Sequence, residues 1–122
     1  MKYNSTKPTL ANGQRGDGEL DINGQLMVTT SVTGTATLSS VASSASSVTI
    51  LAANTARRGA SIVNTSTAIL YLRIGGGTAT ATTGHSVQMA ANTYYEVPFG
   101  YTGAITGIWA SANGQANVTE YT

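Results

Sequence analysis

The sequence contains no cysteine, and this absence excludes several kinds of site at once. A chain without thiols forms no disulfide, no thiolate metal site and no cysteine nucleophile, and its redox compartment stays undetermined. Charged residues are also scarce, at 9%, against a usual level of about a quarter. The six cations are scattered and the net charge is +1. Phosphate binding needs clustered Lys and Arg, so nucleic acid is not an expected partner.

Long hydrophobic runs are missing as well. Residues 1–8 contain no apolar stretch of the kind that a signal peptide has, and no run elsewhere is long enough to span a bilayer. We therefore expect no membrane segment, and no glycans on the three Asn-x-Ser/Thr triplets. Thr, Ser, Ala, Asn and Gly replace the charged residues. This composition suits either packing in a crowded assembly or a neutral β domain of the secreted type.

Residues that catalysis requires are few and poorly placed. His85 is the only histidine, and no GxSxG nucleophile elbow accompanies it. Glu96 and Glu120 stand near the ends of predicted strands, where carboxylates usually face solvent, and the other acids lie in the N-terminal segment. The alternating acids from Asp17 resemble part of a calcium loop, but its twelfth position is Val28 instead of a bidentate Glu. We expect no enzyme, no metal and no cofactor.

Alternation with a period of two dominates the chain after residue 47. The pattern predicts about seven short strands at regular spacing, and no segment shows sustained helical periodicity. These features predict an all-β fold, an antiparallel β-sandwich of jelly-roll or immunoglobulin-like size over residues 47–122. The predicted strands are 48–53, 60–64, 69–74, 86–90, 94–98, 104–110 and 115–121.

Two tight hairpins are predicted within the sandwich. In the first, residues 60–64 turn through a small polar loop into residues 69–74, whose even-numbered side chains share one apolar face. The second turns at Asn113-Gly114, a dipeptide that favours a type I′ turn. Its register would set Trp109 opposite Val118, with the indole ring buried and its N–H bonded to a partner.

Residues 1–46 are predicted to form an extended arm ahead of the sandwich. An Asn-Gly turn between alternating segments predicts a β-hairpin near residues 19–29. Residues 30–47 are almost wholly Thr, Ser, Ala, Val and Gly, so they bury too little apolar surface to fold alone. We expect this segment to become ordered as an edge strand or a linker when it lies on a partner.

Aromatic residues gather in the last third of the chain. Where such residues are exposed on the rim of a sandwich, they stack on sugar rings or anchor a protein interface. The alternative interpretation is that half or more of these aromatic residues lie in the core. Alternation predicts that at least one residue of the Tyr94–Tyr95 pair points outward. The set is Tyr94, Tyr95, Phe99, Tyr101, Trp109 and Tyr121.

Two further motifs border the predicted strands. Arg57 and Arg58 come just before the strand at 60–64, where a guanidinium pairs with a carboxylate or with carbonyls at a sheet edge, and we favour structural bracing over recognition. The Gly-rich segment 75–84 is predicted to be a long flexible loop. It is not expected to bind phosphate, because no Lys and no helix follow it.

Two motifs of this sequence resemble bacteriophage virion proteins. The first, residues 53–66, contains Arg-Arg-Gly-Ala-Ser-Ile-Val-Asn and continues into the Gly-rich loop. The second, residues 95–110, contains Val-Pro-Phe-Gly-Tyr-Thr-Gly and is completed by residues 114–121. Together they are similar to a small β-sandwich module of phage head-decoration and other virion structural proteins, and they cover residues 48–122. The arm is also similar to the opening of such proteins.

The resemblance implies a capsid decoration, or cement, protein. Its sandwich would sit over a capsid junction, commonly as a homotrimer, while the arm reaches across neighbouring subunits and adds strands or fills grooves. The partner would be the major capsid protein and the location the surface of the phage head, after synthesis in the bacterial host cytoplasm. The alternative is a tail, collar or fibre component that binds carbohydrate or a receptor. The expected interface residues are Leu20, Ile22, Leu26, Met27, Val32, Leu38, Arg57, Arg58, Tyr94, Phe99 and Tyr101.

Overall fold

The computed structural model describes residues 34–122, which form two four-stranded antiparallel sheets and no helix. The first sheet has the order β1-β8-β3-β6 and the second the order β2-β7-β4-β5. The all-β antiparallel sandwich predicted from the sequence is confirmed. The strands are β1 (Ala36–Ala42), β2 (Val48–Leu51), β3 (Gly59–Asn64), β4 (Leu70–Ile74), β5 (Val87–Met89), β6 (Tyr94–Val97), β7 (Ile105–Trp109) and β8 (Gln115–Tyr121).

The sandwich begins earlier in the chain than the sequence predicted. The predicted boundary between arm and sandwich was near residue 46, whereas β1 (Ala36–Ala42) already belongs to the first sheet. All seven residues of β1 pair with β8 in continuous register, and the compact unit is Thr33–Thr122. The edge strand therefore forms on the chain's own β8, with Val41 packed against the core. This pairing supplies the contacts that a segment of small residues lacks alone. The hairpin near 19–29 and the residues Leu20, Ile22, Leu26, Met27 and Val32 lie outside the described part of the chain.

The two predicted hairpins are wrong, because the strands that they were to join belong to different sheets. The chain crosses from one sheet to the other between β3 and β4, over residues 65–69, and again between β7 and β8, over residues 110–114. Trp109 pairs with Leu70 in the second sheet, whereas Val118 lies in the first. Of the eight strands described, only β4 and β5 are both consecutive in the chain and paired with each other.

The two cross-layer loops lie against each other. The side chain of Asn113 donates a hydrogen bond to the Thr67 hydroxyl at 2.6 Å. Gly114 has a φ of 140°, and a Cβ there would lie 2.7 Å from the Cα of Ser66. Because only glycine permits this approach, the Asn-Gly dipeptide serves the contact between the loops instead of a hairpin turn.

The hydrophobic core lies between the sheets, and alternation along each strand selects the residues that fill it. In β4, Leu70 and Leu72 are buried while Tyr71 and Arg73 point away from the core, as predicted. Such a layer is stabilised by about 25 cal/mol for each Å² of apolar surface that it removes from water.

A buried amide holds the end of the core that is next to the cross-layer loops. The side-chain nitrogen of Asn64 donates to the carbonyls of Ala68, Met89 and Ala90 at 2.8–3.2 Å. Its oxygen accepts the indole N–H of buried Trp109 at 3.2 Å, which confirms the predicted hydrogen bond of that ring. Asn64 therefore connects both sheets through groups that would otherwise be buried without partners.

A buried guanidinium holds the opposite end of β3. Arg57 comes just before this strand, and its Nε donates to the carboxylate of Glu120 at 2.7 Å. One terminal nitrogen donates to the carbonyls of Tyr101 and Gly103 at 3.2 and 2.8 Å, and the other donates to the carbonyl of Ala52. The bracing role predicted for this arginine is confirmed.

Candidate binding surface

The exposed large hydrophobic side chains of the described residues lie on or beside the outer face of the first sheet. They are Leu38 at 76%, Tyr94 at 60%, Phe99 at 88% and Tyr121 at 39%. Leu38, Tyr94 and Tyr121 lie on strands of the first sheet, and Phe99 lies in the turn after β6. The second sheet exposes no large hydrophobic side chain of this kind. One side of the sandwich is therefore the candidate binding surface.

Strand register arranges the outer face of the first sheet in rows. Residues opposite one another in neighbouring strands share a face, so the pairing partners identify the row members. Glu96 is the only charged residue in these rows. Three of these rows cross the sheet as follows: the first contains Ala36, Tyr121 and Gly59, the second contains Leu38, Thr119, Ser61 and Glu96, and the third contains Ser40, Asn117, Val63 and Tyr94.

A depression with a volume of about 350 Å³ lies on the β6 side of this face. Gly59 and Ser61 contribute little side-chain volume to β3, while large rings flank them on β8 and β6. A Cβ at Gly59 would lie 3.8 Å from the Tyr121 ring, so that ring covers the glycine. We call this feature the aromatic depression. Its lining residues are Arg58, Gly59, Ala60, Ser61, Tyr94, Glu96, Val97, Phe99 and Tyr121.

The aromatic depression also carries charge of both signs. Arg58 and Glu96 are exposed in its lining. Within residues 34–122 the only ion pair joins Arg57 and Glu120, so Arg58 and Glu96 do not bond each other. Desolvation raises the pKa of the Tyr94 phenol, and the negative charge of Glu96 raises it further. The phenol is therefore neutral at physiological pH and able to donate a hydrogen bond.

The structure separates the expected interface residues that it describes into two groups. Leu38, Arg58, Tyr94 and Phe99 are exposed, and the last three line the aromatic depression. Arg57, by contrast, is buried beneath the surface and is not available to a partner.

Tyr101 is also turned inward. Its ring is half-buried against the core, and its hydroxyl donates to the Ala104 carbonyl at 3.0 Å. A Cβ at Gly103 would overlap that hydroxyl, so the turn is built around the tyrosine. Tyr101 is therefore part of the packing of this turn.

Besides Tyr121, five members of the aromatic depression were not expected from the sequence: Gly59, Ala60, Ser61, Glu96 and Val97. Glu96 alternates with Tyr94 along one strand, and this alternation was a usable signal that the two share a face. Gly59 and Ser61 acquire their role only through the pairing of β3 with β6 and β8. Tyr121, which was noted only as one of the aromatics, comes to the depression through that same pairing.

The remaining motifs serve structural contacts. His85 is half-buried, with Nδ1 3.0 Å from the Thr80 carbonyl oxygen and its ring edge-on to Tyr71 at 4.9 Å. In the Gly-rich loop Ala79 is buried, and the Thr106 hydroxyl donates to the Gly77 carbonyl at 2.8 Å.

From residue 34 onward, no group of three His, Asp or Glu side chains is placed to hold a metal ion, and no helix of membrane-spanning length and hydropathy occurs.

Comparison of the chain with protein-family models, with curated proteins and with solved structures finds no match.

Proposed function

We propose that this protein is a virion structural protein of the head-decoration type, which binds the assembled major capsid lattice and stabilises the phage head. The resemblance of residues 48–122 to such modules motivates the proposal. The structural observation that carries it is the edge strand β1. This strand begins shortly after residues 1–33 in the chain and offers a place for a strand of the capsid protein to pair.

Within residues 34–122, β1 lacks the protection that the other three edge strands have. Sheet edges are usually blunted by charge, proline, bulges or short length, because an unprotected edge pairs with other chains. β6 has four residues, carries Glu96 and ends before Pro98; β5 has three residues; and β2 has a register shift between Thr49 and Leu51. β1 has seven residues in continuous register and no charge.

Leu38 provides the side-chain anchor of this edge. It is 76% exposed and lies on the outer face opposite Thr119, where an added strand would cover it. In such β-augmentation the main-chain hydrogen bonds provide affinity, and pockets for alternate side chains provide specificity. Because the partner exists only in the assembled lattice, binding stabilises the lattice by mass action.

The test measures occupancy on purified expanded heads of the phage that carries this gene. Leu38→Lys introduces a charge at the unprotected edge, and we expect it to weaken head binding by about tenfold or more. Gln88→Lys, at an exposed position of the edge strand β5, is the matched control with the same change of charge, and it should bind like the parent. Both variants should keep the parent's melting temperature, since exposed substitutions change stability by less than about 0.5 kcal/mol.

Two results would contradict the proposal. If Leu38→Lys occupied heads as fully as the parent, β1 would not be the docking edge. If the parent failed to bind expanded heads, the decoration function itself would be refuted. Deletion of residues 1–33, which keeps β1 intact, measures the separate contribution of the arm.

The aromatic depression favours a second candidate, a tail, collar or fibre component that binds carbohydrate or a receptor. Antibody labelling of the chain in intact virions separates the two candidates. Label over the head supports decoration, whereas label confined to the tail removes that proposal and supports the second.

A further inference from the structure

We infer that the aromatic depression is a binding site for a neutral oligosaccharide. This inference goes beyond the docking of β1 and does not depend on where the protein sits on the virion. The depression lies over β8, β3 and β6, whereas the edge of β1 that an added strand would pair with is the one turned away from β8.

The placement of the two tyrosines on the sheet favours an extended ligand. Tyr94 and Tyr121 stand on the two strands that flank β3, and their Cα atoms lie about 10 Å apart across the sheet because neighbouring strands lie about 4.8 Å apart. Tyr94 is opposite Val63 and Tyr121 is opposite Gly59, which sets these Cα atoms about 13 Å apart along the strands. A ligand that contacts both side chains therefore crosses the sheet diagonally.

The chemistry of the lining suits hydroxyl-bearing rings. A sugar presents C–H groups to an aromatic face, and rigid tyrosine rings offer such faces at low conformational cost. The Glu96 carboxylate accepts hydrogen bonds from a pair of hydroxyls, and the Arg58 guanidinium donates them. The Ser61 hydroxyl and the Tyr94 phenol add groups that both donate and accept.

The balance of charge and the shape of the floor narrow the class of ligand. One cation and one anion leave the lining without net charge, so neither a sialylated nor a phosphorylated glycan is favoured. The depression is lined along β3 by the small residues Gly59, Ala60 and Ser61. Its volume of about 350 Å³ lies at the lower end of the range for ligand sites, about 300–1,000 Å³.

The test titrates the full-length protein with neutral gluco-, galacto- and manno-oligosaccharides, and with sialylated and phosphorylated oligosaccharides as comparators. Amide chemical shifts locate the binding site, and calorimetry measures the affinity. We expect a neutral oligosaccharide to shift Gly59, Ser61 and Glu96. Tyr94→Ala should weaken that binding by about tenfold or more, whereas Tyr94→Phe, which keeps the ring, should bind within a few-fold of the parent.

Leu38→Lys is the control that separates this inference from the proposed function. It lies outside the aromatic depression and should leave saccharide binding unchanged while it weakens head binding. Binding that Tyr94→Ala does not weaken, or shifts with the charged glycans alone, would overturn the inference. The absence of any chemical-shift change with the neutral oligosaccharides would also overturn the inference. Protection of the aromatic depression by the capsid protein would overturn it too, because the depression would then be a protein contact.

Discussion

Replacement of Arg57 by alanine should destabilise the sandwich more than any exposed substitution, because it empties a buried hydrogen-bonded position. The guanidinium is fully buried, and the side chain of its partner Glu120 is only 22% exposed. Removal of Arg57 leaves this carboxylate without its cation and also leaves the carbonyls of Ala52, Tyr101 and Gly103 without the donors that they share.

The expected loss follows from the burial of the pair. Breaking a buried ion pair by removal of one partner costs about 3–5 kcal/mol, because the remaining charge is uncompensated. The 89 residues from 34 to 122 would have a total unfolding free energy of about 4–13 kcal/mol. With a urea m-value of about 1.3 kcal/mol/M, the unfolding midpoint should fall by about 2–4 M.

Urea unfolding followed by the fluorescence of Trp109 measures this loss, since the chain has one tryptophan and it is buried. Arg58→Ala makes the same change at the exposed neighbouring position and should alter the unfolding free energy by less than about 0.5 kcal/mol. Arg57→Lys keeps the charge but loses the planar fork, so it should cost less than the alanine variant and stay folded. A loss below about 1 kcal/mol for Arg57→Ala would refute the bracing role.

Three further predictions concern the core and the aromatic depression. Asn64→Ala should lower the unfolding free energy, measured in urea, by at least about 2 kcal/mol, because it leaves the indole N–H and several turn groups without partners. Gly107→Ala should lower the free energy of unfolding, measured by thermal unfolding, by about 1–3 kcal/mol, because the added methyl group would lie 2.8 Å from a core carbon. The control Gly34→Ala, whose methyl group would have nothing within 4 Å, should leave this free energy unchanged. Glu96→Gln should lower the raised pKa of the Tyr94 phenol only part of the way, because the contribution of desolvation remains. Absorbance titration measures this pKa, with Tyr94→Phe as the reference that identifies the Tyr94 signal. An unchanged pKa would contradict the prediction. The raised pKa also means that the folded state keeps the phenol proton longer than the unfolded state, so stability falls as pH rises from about 10 through the folded pKa.

Local alternation was sufficient to predict the strands β2 to β8 and the two faces of β4, but not β1. The even-numbered side chains of β4 point into the core because a strand reverses its side-chain direction at every residue. The need of the Trp109 indole for a partner, and the suitability of Arg57 as a brace, followed from the hydrogen-bonding capacity of each side chain. These properties belong to single residues and their immediate neighbours.

The partners of the strands could not be predicted in the same way. A short loop of Ser, Thr, Asn and Gly joins two strands of one sheet as readily as it joins two sheets, and local pattern does not distinguish the two. The close approach of Gly114 to Ser66, which accompanies the crossing, depends on residues distant in the sequence. For the same reason the candidate site was only partly predictable, since Tyr121 reaches Gly59 through the pairing of β8 with β3.

The place of β8 has a consequence for synthesis in the cell. It is the last of the eight described strands to leave the ribosome, yet it is a central strand of its sheet, with β1 on one side and β3 on the other. The second sheet is complete once Trp109 has emerged, but until residue 121 follows, β1 lacks the one described strand with which it pairs. A nascent chain in that interval exposes strand edges that are prone to aggregate, so chaperone protection during this part of translation would raise the yield of folded protein.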